Sequence, residues 1–217
     1  MKLHLNTVSK ILWDYLNILM KLEAFDDFRL VGGTSLSLQL GHRESVDMDL
    51  FTDVEYGSID FADLEAVLRK TFAVVDSPFD GVEGMGKSYF IGTNENDLVK
   101  LDLYYTDKFV FPQEHYRNLR YSCVKEIAAM KLEVIGNGGR KKDFWDLHEL
   151  LEMFTLDEMM GFYRKRYPYS HSKREILTKI VDFSVADDDF LPNCYRGKIW
   201  ELIKLDFEDL IRMTGQH

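Results

Sequence analysis

Two stretches of this chain alternate apolar and polar residues with a period of two. One is Asp47-Met48-Asp49-Leu50-Phe51, and the other is Val99-Lys100-Leu101-Asp102-Leu103-Tyr104. Residues two apart on a strand project to the same side. Asp47 and Asp49 therefore share one face while Met48 and Leu50 enter the core, and Asp102 stands on the polar face of a second strand. Paired carboxylates repel each other unless a cation lies between them. The fold must give them a cation site or leave them on a solvated face, which is the plainer reading of an isolated Asp-x-Asp. If the two strands are neighbours, three carboxylates converge. Oxygen donors of this kind suit Mg²⁺, and three can hold two ions about 3.5–4 Å apart for in-line displacement at phosphorus.

The charge distribution points to the same segment. The chain carries a formal net charge of −10, and residues 41–110, with 15 acidic and six basic side chains, hold nearly all of it. A general basic coat for wrapping nucleic acid is excluded. Most of the acid reads as a solvated face. Length and composition, 217 residues and 46% hydrophobic, are ample for a buried core. No apolar run approaches the ~20 residues of a membrane span. The N-terminus lacks the apolar block of a signal peptide. Cys123 and Cys194 form no CxxC, which favours a reducing, cytoplasmic setting, with a single disulfide as the alternative. The six histidines show no metal-ligand spacing, which argues against zinc.

Periodicity predicts one helix through Val8, Leu12, Leu16, Leu19 and on to Phe25. Phe28–Val31 reads as a strand broken by Gly32-Gly33, and Thr34–Leu40 as a helix closed by Gly41. Val46–Thr52 reads as a strand, and Asp60 caps the next helix. Residues 73–76, 88–91 and 98–105 read as strands, with a glycine-rich turn at 81–86. After Phe111-Pro112 the pattern becomes helical. Ser122 is the expected cap of a helix stopped by the glycines after Ile135. Another helix runs from about Lys142 to Phe154. Thr155 with Glu158, and Ser172 with Glu175, have capping-box spacing, and 199–211 is a last amphipathic helix. The layout is α+β: an α/β core over residues 1–112, then a helical half over 113–217 that completes the site.

Leu30-Val31-Gly32-Gly33-Thr34-Ser35 adds a chemical signal. A strand that ends in two glycines and opens a helix leaves free backbone N–H groups where the helix dipole is positive, which suits a phosphate. The Thr34 and Ser35 hydroxyls can add hydrogen bonds. A Gly-Gly pair between two elements is also a common plain turn.

Taken together, the Gly-Gly-Thr turn, the Asp-Met-Asp strand and the later Leu-Asp-Leu strand resemble the DNA polymerase β-type nucleotidyltransferase superfamily. The run LVGGTSLSLQLGHRESVDMDLFT resembles more closely the AbiEii/AbiGii toxin family of bacterial toxin–antitoxin and phage-defence pairs. A second block, Glu126-Ile127-Ala128-Ala129-Met130-Lys131-Leu132 followed by Lys142-Asp143-Phe144-Trp145-Asp146-Leu147, is similar to that family's later motifs.

The resemblance implies a polymerase β-like core with a mixed sheet, followed by a helical C-terminal half. It implies Asp47 and Asp49 as metal carboxylates, with Asp102 as the superfamily's third. Gly32, Gly33, Thr34 and Ser35 form the phosphate turn, and Arg43 can reach a triphosphate. Lys131 matches a lysine associated with nucleotide phosphates. Asp143 and Asp146 match the distal acidic motif, Asp146 being the stronger functional candidate. Either Asp102 or Asp146 can serve as the base. The implied cofactor is Mg²⁺ with NTP as substrate. The implied acceptor is RNA, foremost a tRNA 3′ end, with a protein side chain as runner-up and an antitoxin as partner.

Plainer readings accompany these. Lys142 and Asp146 have the spacing of a surface i,i+4 pair, and His42 reads as structural. Arg140–Lys142, Arg164–Arg166 and Lys173-Arg174, interleaved with Tyr163, Tyr167 and Tyr169, read as an RNA-stacking patch or as solvated helix faces. The rival function class is a nucleotide-binding interaction module without transfer activity.

Overall fold

The computed structural model describes residues 2–77 and 84–214, so residues 81–83 of the expected glycine-rich turn lie outside it. Seven strands form one mixed sheet in the order β3-β4-β5-β2-β1-β7-β6. They are β1 (Arg29–Leu30), β2 (Asp47–Thr52), β3 (Val74–Asp76), β4 (Gly86–Gly92), β5 (Val99–Tyr105), β6 (Gln113–Tyr116) and β7 (Leu119–Ser122). β2 runs parallel to β5 and β1 parallel to β7, and the other neighbours are antiparallel. The helices are α1 (Lys10–Leu19), α2 (Gly32–Leu40), α3 (Phe61–Thr71), α4 (Val124–Gly136), α5 (Lys141–Leu150), α6 (Leu156–Arg166), α7 (Lys173–Ile180) and α8 (Trp200–Thr214).

The two alternating strands carry their pattern into space. β2 buries Met48, Leu50 and Thr52, and β5 buries Val99, Leu101, Leu103 and Tyr105. These side chains meet Leu12 and Leu16 of α1 and Leu64 and Leu68 of α3 in one apolar core. A second core lies among α4 to α8, with Ile127, Phe144, Met160, Ile176 and Phe207 at its centre. The helix α2 serves both, because Leu38 belongs to the first core and Leu36 to the second. Its N-terminus is thereby held from two sides.

Local signals set most boundaries. Asp60 accepts hydrogen bonds from the backbone N–H groups of Ala62 and Asp63 at the start of α3. Thr155 and Ser172 form full capping boxes with Glu158 and Glu175. Gly41 closes α2 in the left-handed conformation.

Three expectations change. The periodic run over 8–25 is not one helix: α1 stops at Leu19, and Glu23–Phe25 forms a separate 3₁₀ turn. Phe25 still reaches the core, so apolar spacing survives where the helix does not. Residues 113–122, read as the start of the helical half, form the β6–β7 hairpin and extend the sheet. β6 is mostly exposed, so its Gln-Glu-His-Tyr sequence carries no apolar alternation to read. Cys123, not Ser122, precedes α4, and it caps the helix with no side-chain bond. Ser122 belongs to β7, and its carbonyl accepts from Ser35 Oγ and Gln39 Nε2.

A buried ion pair ties the sheet to the helices. Arg166 Nη1 donates to Glu126 Oε1, and both side chains are fully buried. Glu126 Oε2 accepts from the backbone N–H groups of Val110 and Phe111, and Arg166 donates to Lys108 O and Thr106 Oγ1. The segment 106–111 is clamped by a pair whose remaining polar atoms are also satisfied, as burial of charge demands.

Candidate active site

Parallel pairing of β2 with β5 sets Asp49 opposite Asp102 and Asp47 opposite Lys100. The three carboxylates therefore share one polar face of two adjacent strands. Two lysines approach them. Lys100 Nζ lies 2.5 Å from Asp102 Oδ2, and Lys142 Nζ, from the start of α5, lies 3.4 Å from Asp47 Oδ2. Among the described residues Asp49 has no ion pair. Burial, then the neighbouring Asp102 charge, push its carboxyl up to about 6, against an opposing pull from Lys142. Asp102 Oδ1 is buried without a hydrogen-bond partner.

The glycine pair sits against this face for a steric reason. Gly32 has φ +65°, and a Cβ there would fall 2.3 Å from Asp49 Oδ2. A Cβ on Gly33 would fall 2.3 Å from Arg43 Nη2. Each glycine thus gives its missing side-chain space to a charged group of the site. α2 begins at Gly32, and no side chain caps it. Its first N–H groups are presented beside Asp49, with the positive end of the helix dipole. The Thr34 and Ser35 hydroxyls turn inward instead. Thr34 Oγ1 bonds Ser45 Oγ at 2.7 Å and donates to the carbonyl of Asp47, while Ser35 Oγ donates to Ser122 O. Both residues are buried, so the turn offers a phosphate backbone donors and not hydroxyls.

Behind the turn lies a second ionic cluster. Asp146 is fully buried and accepts from Arg43 Nε at 2.6 Å, Arg43 Nη2 at 2.7 Å and His42 Nε2 at 2.7 Å. Lys131 Nζ adds a contact to Asp146 Oδ2 at 2.7 Å and to Asp143 Oδ1 at 2.6 Å. Asp143 Oδ2 accepts the N–H of Arg140 and so caps α5. Burial pushes the Asp146 carboxyl up, but Arg43, Lys131 and His42 outweigh it and hold it well below the usual carboxylate range. Burial likewise pulls Lys131 down, and Asp143 and Asp146 more than offset this, so its pKa rises. The cluster of Arg43, Lys131, Asp143 and Asp146 is neutral in sum, the condition for burying four charges.

The site residues named from the sequence therefore fall into two sets. Asp47, Asp49, Asp102, Gly32 and Gly33 line the open face. Arg43, Lys131, Asp143 and Asp146 lie beneath it, bound to one another. Asp146 is fully buried, with its oxygens taken by Arg43, His42 and Lys131, and does not reach the open face in this structure. The suggested surface pair between Lys142 and Asp146 does not form, because Asp146 faces inward and Lys142 reaches Asp47. Sequence reasoning missed that role of Lys142, and it missed Lys100, whose register opposite Asp47 depends on which strands pair. His42 is a member of the buried cluster. The basic patch thins out as well: Arg166, Lys141 and Tyr163 are buried and bonded internally, Arg140 and Lys173 are exposed but ion-paired, and Arg164, Lys165, Arg174 and Tyr169 face solvent.

The donors of the open face suit a hard divalent cation by their chemistry. Hard carboxylate oxygens stand on adjacent strand positions, one is buried without a partner, and burial together with the Asp102 charge raises Asp49. Among the described residues no three such groups are already drawn around one point.

The helix N-terminus facing paired carboxylates on a mixed sheet agrees with the nucleotidyltransferase core that the sequence resemblance implies. The family model of the nucleotidyl transferase AbiEii toxin, a type IV toxin–antitoxin system, matches residues 14–213, and the chain belongs to that family. An uncharacterized protein of Aquifex aeolicus (strain VF5) is 30% identical over 152 residues, 65% of this chain and 67% of that protein. Among solved structures, a candidate nucleotidyltransferase of Helicobacter pylori superposes with a TM-score of 0.57, 18% identity and 92% coverage of each chain. The nucleotidyltransferase toxin MenT4 of Mycobacterium tuberculosis does so with a TM-score of 0.53 and 13% identity, over 94% of this chain and 86% of that one. At such identity the structures share the fold. The protein is a nucleotidyltransferase of a toxin family. No helix among the described residues is long and apolar enough to cross a membrane.

Proposed function

We propose that the protein transfers a nucleoside monophosphate from an NTP to a hydroxyl of RNA, foremost the 3′ end of tRNA, in a Mg²⁺-dependent reaction. The observation that carries this is the register of Asp49 with Asp102 directly beside the uncapped start of α2. The β- and γ-phosphates lie against the N–H groups that open α2, and Asp47, Asp49 and Asp102 would hold Mg²⁺. When bound, the metal supplies Lewis-acid polarisation of the α-phosphate and charge for the leaving pyrophosphate.

The chain's own residues do the rest. Asp102, whose side chain is partly exposed at the open face, takes the proton of the attacking hydroxyl. Lys100 and Lys142 place positive charge at the rim, where the triphosphate arrives. Asp146 acts as a positioning residue: it holds Arg43, Lys131 pairs with the same carboxylate, and Arg43 fixes the space beneath Gly33. The acceptor class rests on the toxin family and on the exposed Arg164, Lys165 and Tyr169 of the helical half. In the cytoplasm the outcome would be growth arrest, countered by an antitoxin.

The test incubates the protein with each α-labelled NTP, Mg²⁺ and total RNA or total protein. Label on RNA that disappears with Asp49→Asn supports the reading. Label on protein alone redirects the acceptor to a side chain. NTP binding without transfer to either leaves an interaction module.

A further inference from the structure

The segment 187–194 lies beside the carboxylate face and is fastened at several points. Arg140 donates to both oxygens of Asp189, at 3.2 and 3.0 Å. Buried Lys141 donates to the carbonyls of Asp187 and Asp189. The Asn193 carbonyl accepts from Glu44 N, Asn193 Nδ2 donates to Glu44 Oε2, and Cys194 forms a β-bridge with Arg43. A segment held at both ends would be expected to turn its apolar residues inward. Phe190 instead stands 89% exposed. It lines a cavity of about 240 Å³ whose wall also includes Asp47, Lys142, Arg140, Val46 and Asn193.

Single exposed apolar residues are common and carry no message alone. Phe190 differs in its place: it shares a pocket with a carboxylate of the active face and with two cations, on backbone that both flanking elements hold. A flat, apolar ring at the edge of a phosphate-directed site suits the π-face of a base, and stacking of this kind tolerates any base. We propose that Phe190 is a stacking platform for a nucleobase, with Arg140 and Lys142 facing the phosphates of the same nucleotide. This deepens the transferase reading and rests on it. The base belongs either to the incoming NTP or to the end of the RNA acceptor.

The test measures equilibrium binding to wild type and Phe190→Ala. The ligands are each of the four NTPs, a single-stranded RNA with a free 3′ hydroxyl, and tripolyphosphate, which has no base. Phe190→Ala is expected to weaken NTP or RNA by about 5- to 100-fold. Tripolyphosphate affinity and melting temperature should stay at wild-type values, and Phe190→Trp should restore binding. Loss for NTP assigns the platform to the incoming base, and loss for RNA assigns it to the acceptor. Wild-type binding of NTP and RNA that Phe190→Ala leaves within about twofold overturns the platform alone. An equal loss of tripolyphosphate also overturns it, because the effect is then not on a base. A wild type that binds neither NTP nor RNA overturns the platform and the transferase reading together.

Discussion

Asp49 and Asp146 lie on opposite sides of the same glycine pair, one beside Gly32 and the other 3.5 Å from the Cβ position of Gly33. Their chemistry is opposite. Asp49 has carboxylates for neighbours and no ion pair among the described residues, and it is raised to about 6. Asp146 is saturated by Arg43, His42 and Lys131 and is held well below the ordinary range. Identical side chains thus become an under-compensated group at an open face and an over-compensated one inside. The first arrangement costs stability, which the proposed metal would restore. The second holds the floor on which the Gly32-Gly33 turn rests. The lesson is that carboxylates of one motif set need not share a chemical role.

The largest effect is expected for Asp146→Ala, which leaves Arg43 and Lys131 buried with one partner removed. Chemical denaturation should show a loss of about 3–5 kcal/mol. A near-neutral result would mean that the cluster does not hold the fold. Asp49→Asn should do the reverse: nucleotidyl transfer falls by about 10²–10³, while the melting temperature of the metal-free protein does not fall. A destabilised Asp49→Asn would erase the contrast.

Gly33→Ala sharpens the comparison at the point of contact. Its methyl must displace the Arg43 guanidinium from Asp146, and a cost of about 1–3 kcal/mol is expected in unfolding experiments. The pH dependence should carry two signs. The Asp49 pKa is higher folded than unfolded, so its contribution is full below an unfolded value of about 4 and falls as pH rises toward about 6. The Asp146 pKa is lower folded than unfolded, so its contribution is full above about 4 and is lost as pH falls through the folded value. Melting curves of Asp49→Asn in chelator should lose the decline between pH 4 and 6 (about these limits) and keep the acid transition. The smallest effect is expected for Lys142→Met. Its contact to Asp47 is long and partly exposed, so stability should shift by less than about 0.5 kcal/mol.

The elements that were legible in the sequence are those whose signals are local. Alternation in β2 and β5, the caps at Asp60, Thr155 and Ser172, and the Gly41 stop all act within a few residues of chain. The β6–β7 hairpin was hidden because its outer strand faces solvent and therefore has no pattern to keep. Lys142 was misread for a related reason. Its spacing to Asp146 is a property of the helix, but which of the two faces inward depends on what the helix packs against.

By itself the sequence determined the family and the shared strand face of Asp47 and Asp49, because motif order and strand period need no partner to be read. Only the tertiary structure decided how the charges divide. Pairing β2 with β5 brought Asp102 opposite Asp49 across long separation in the chain. Docking α4 and α5 beneath α2 buried Lys131, Asp143 and Asp146 around Arg43. Residue type and spacing state which groups can ionise. Burial and the partners met there decide which of them remain open to a ligand.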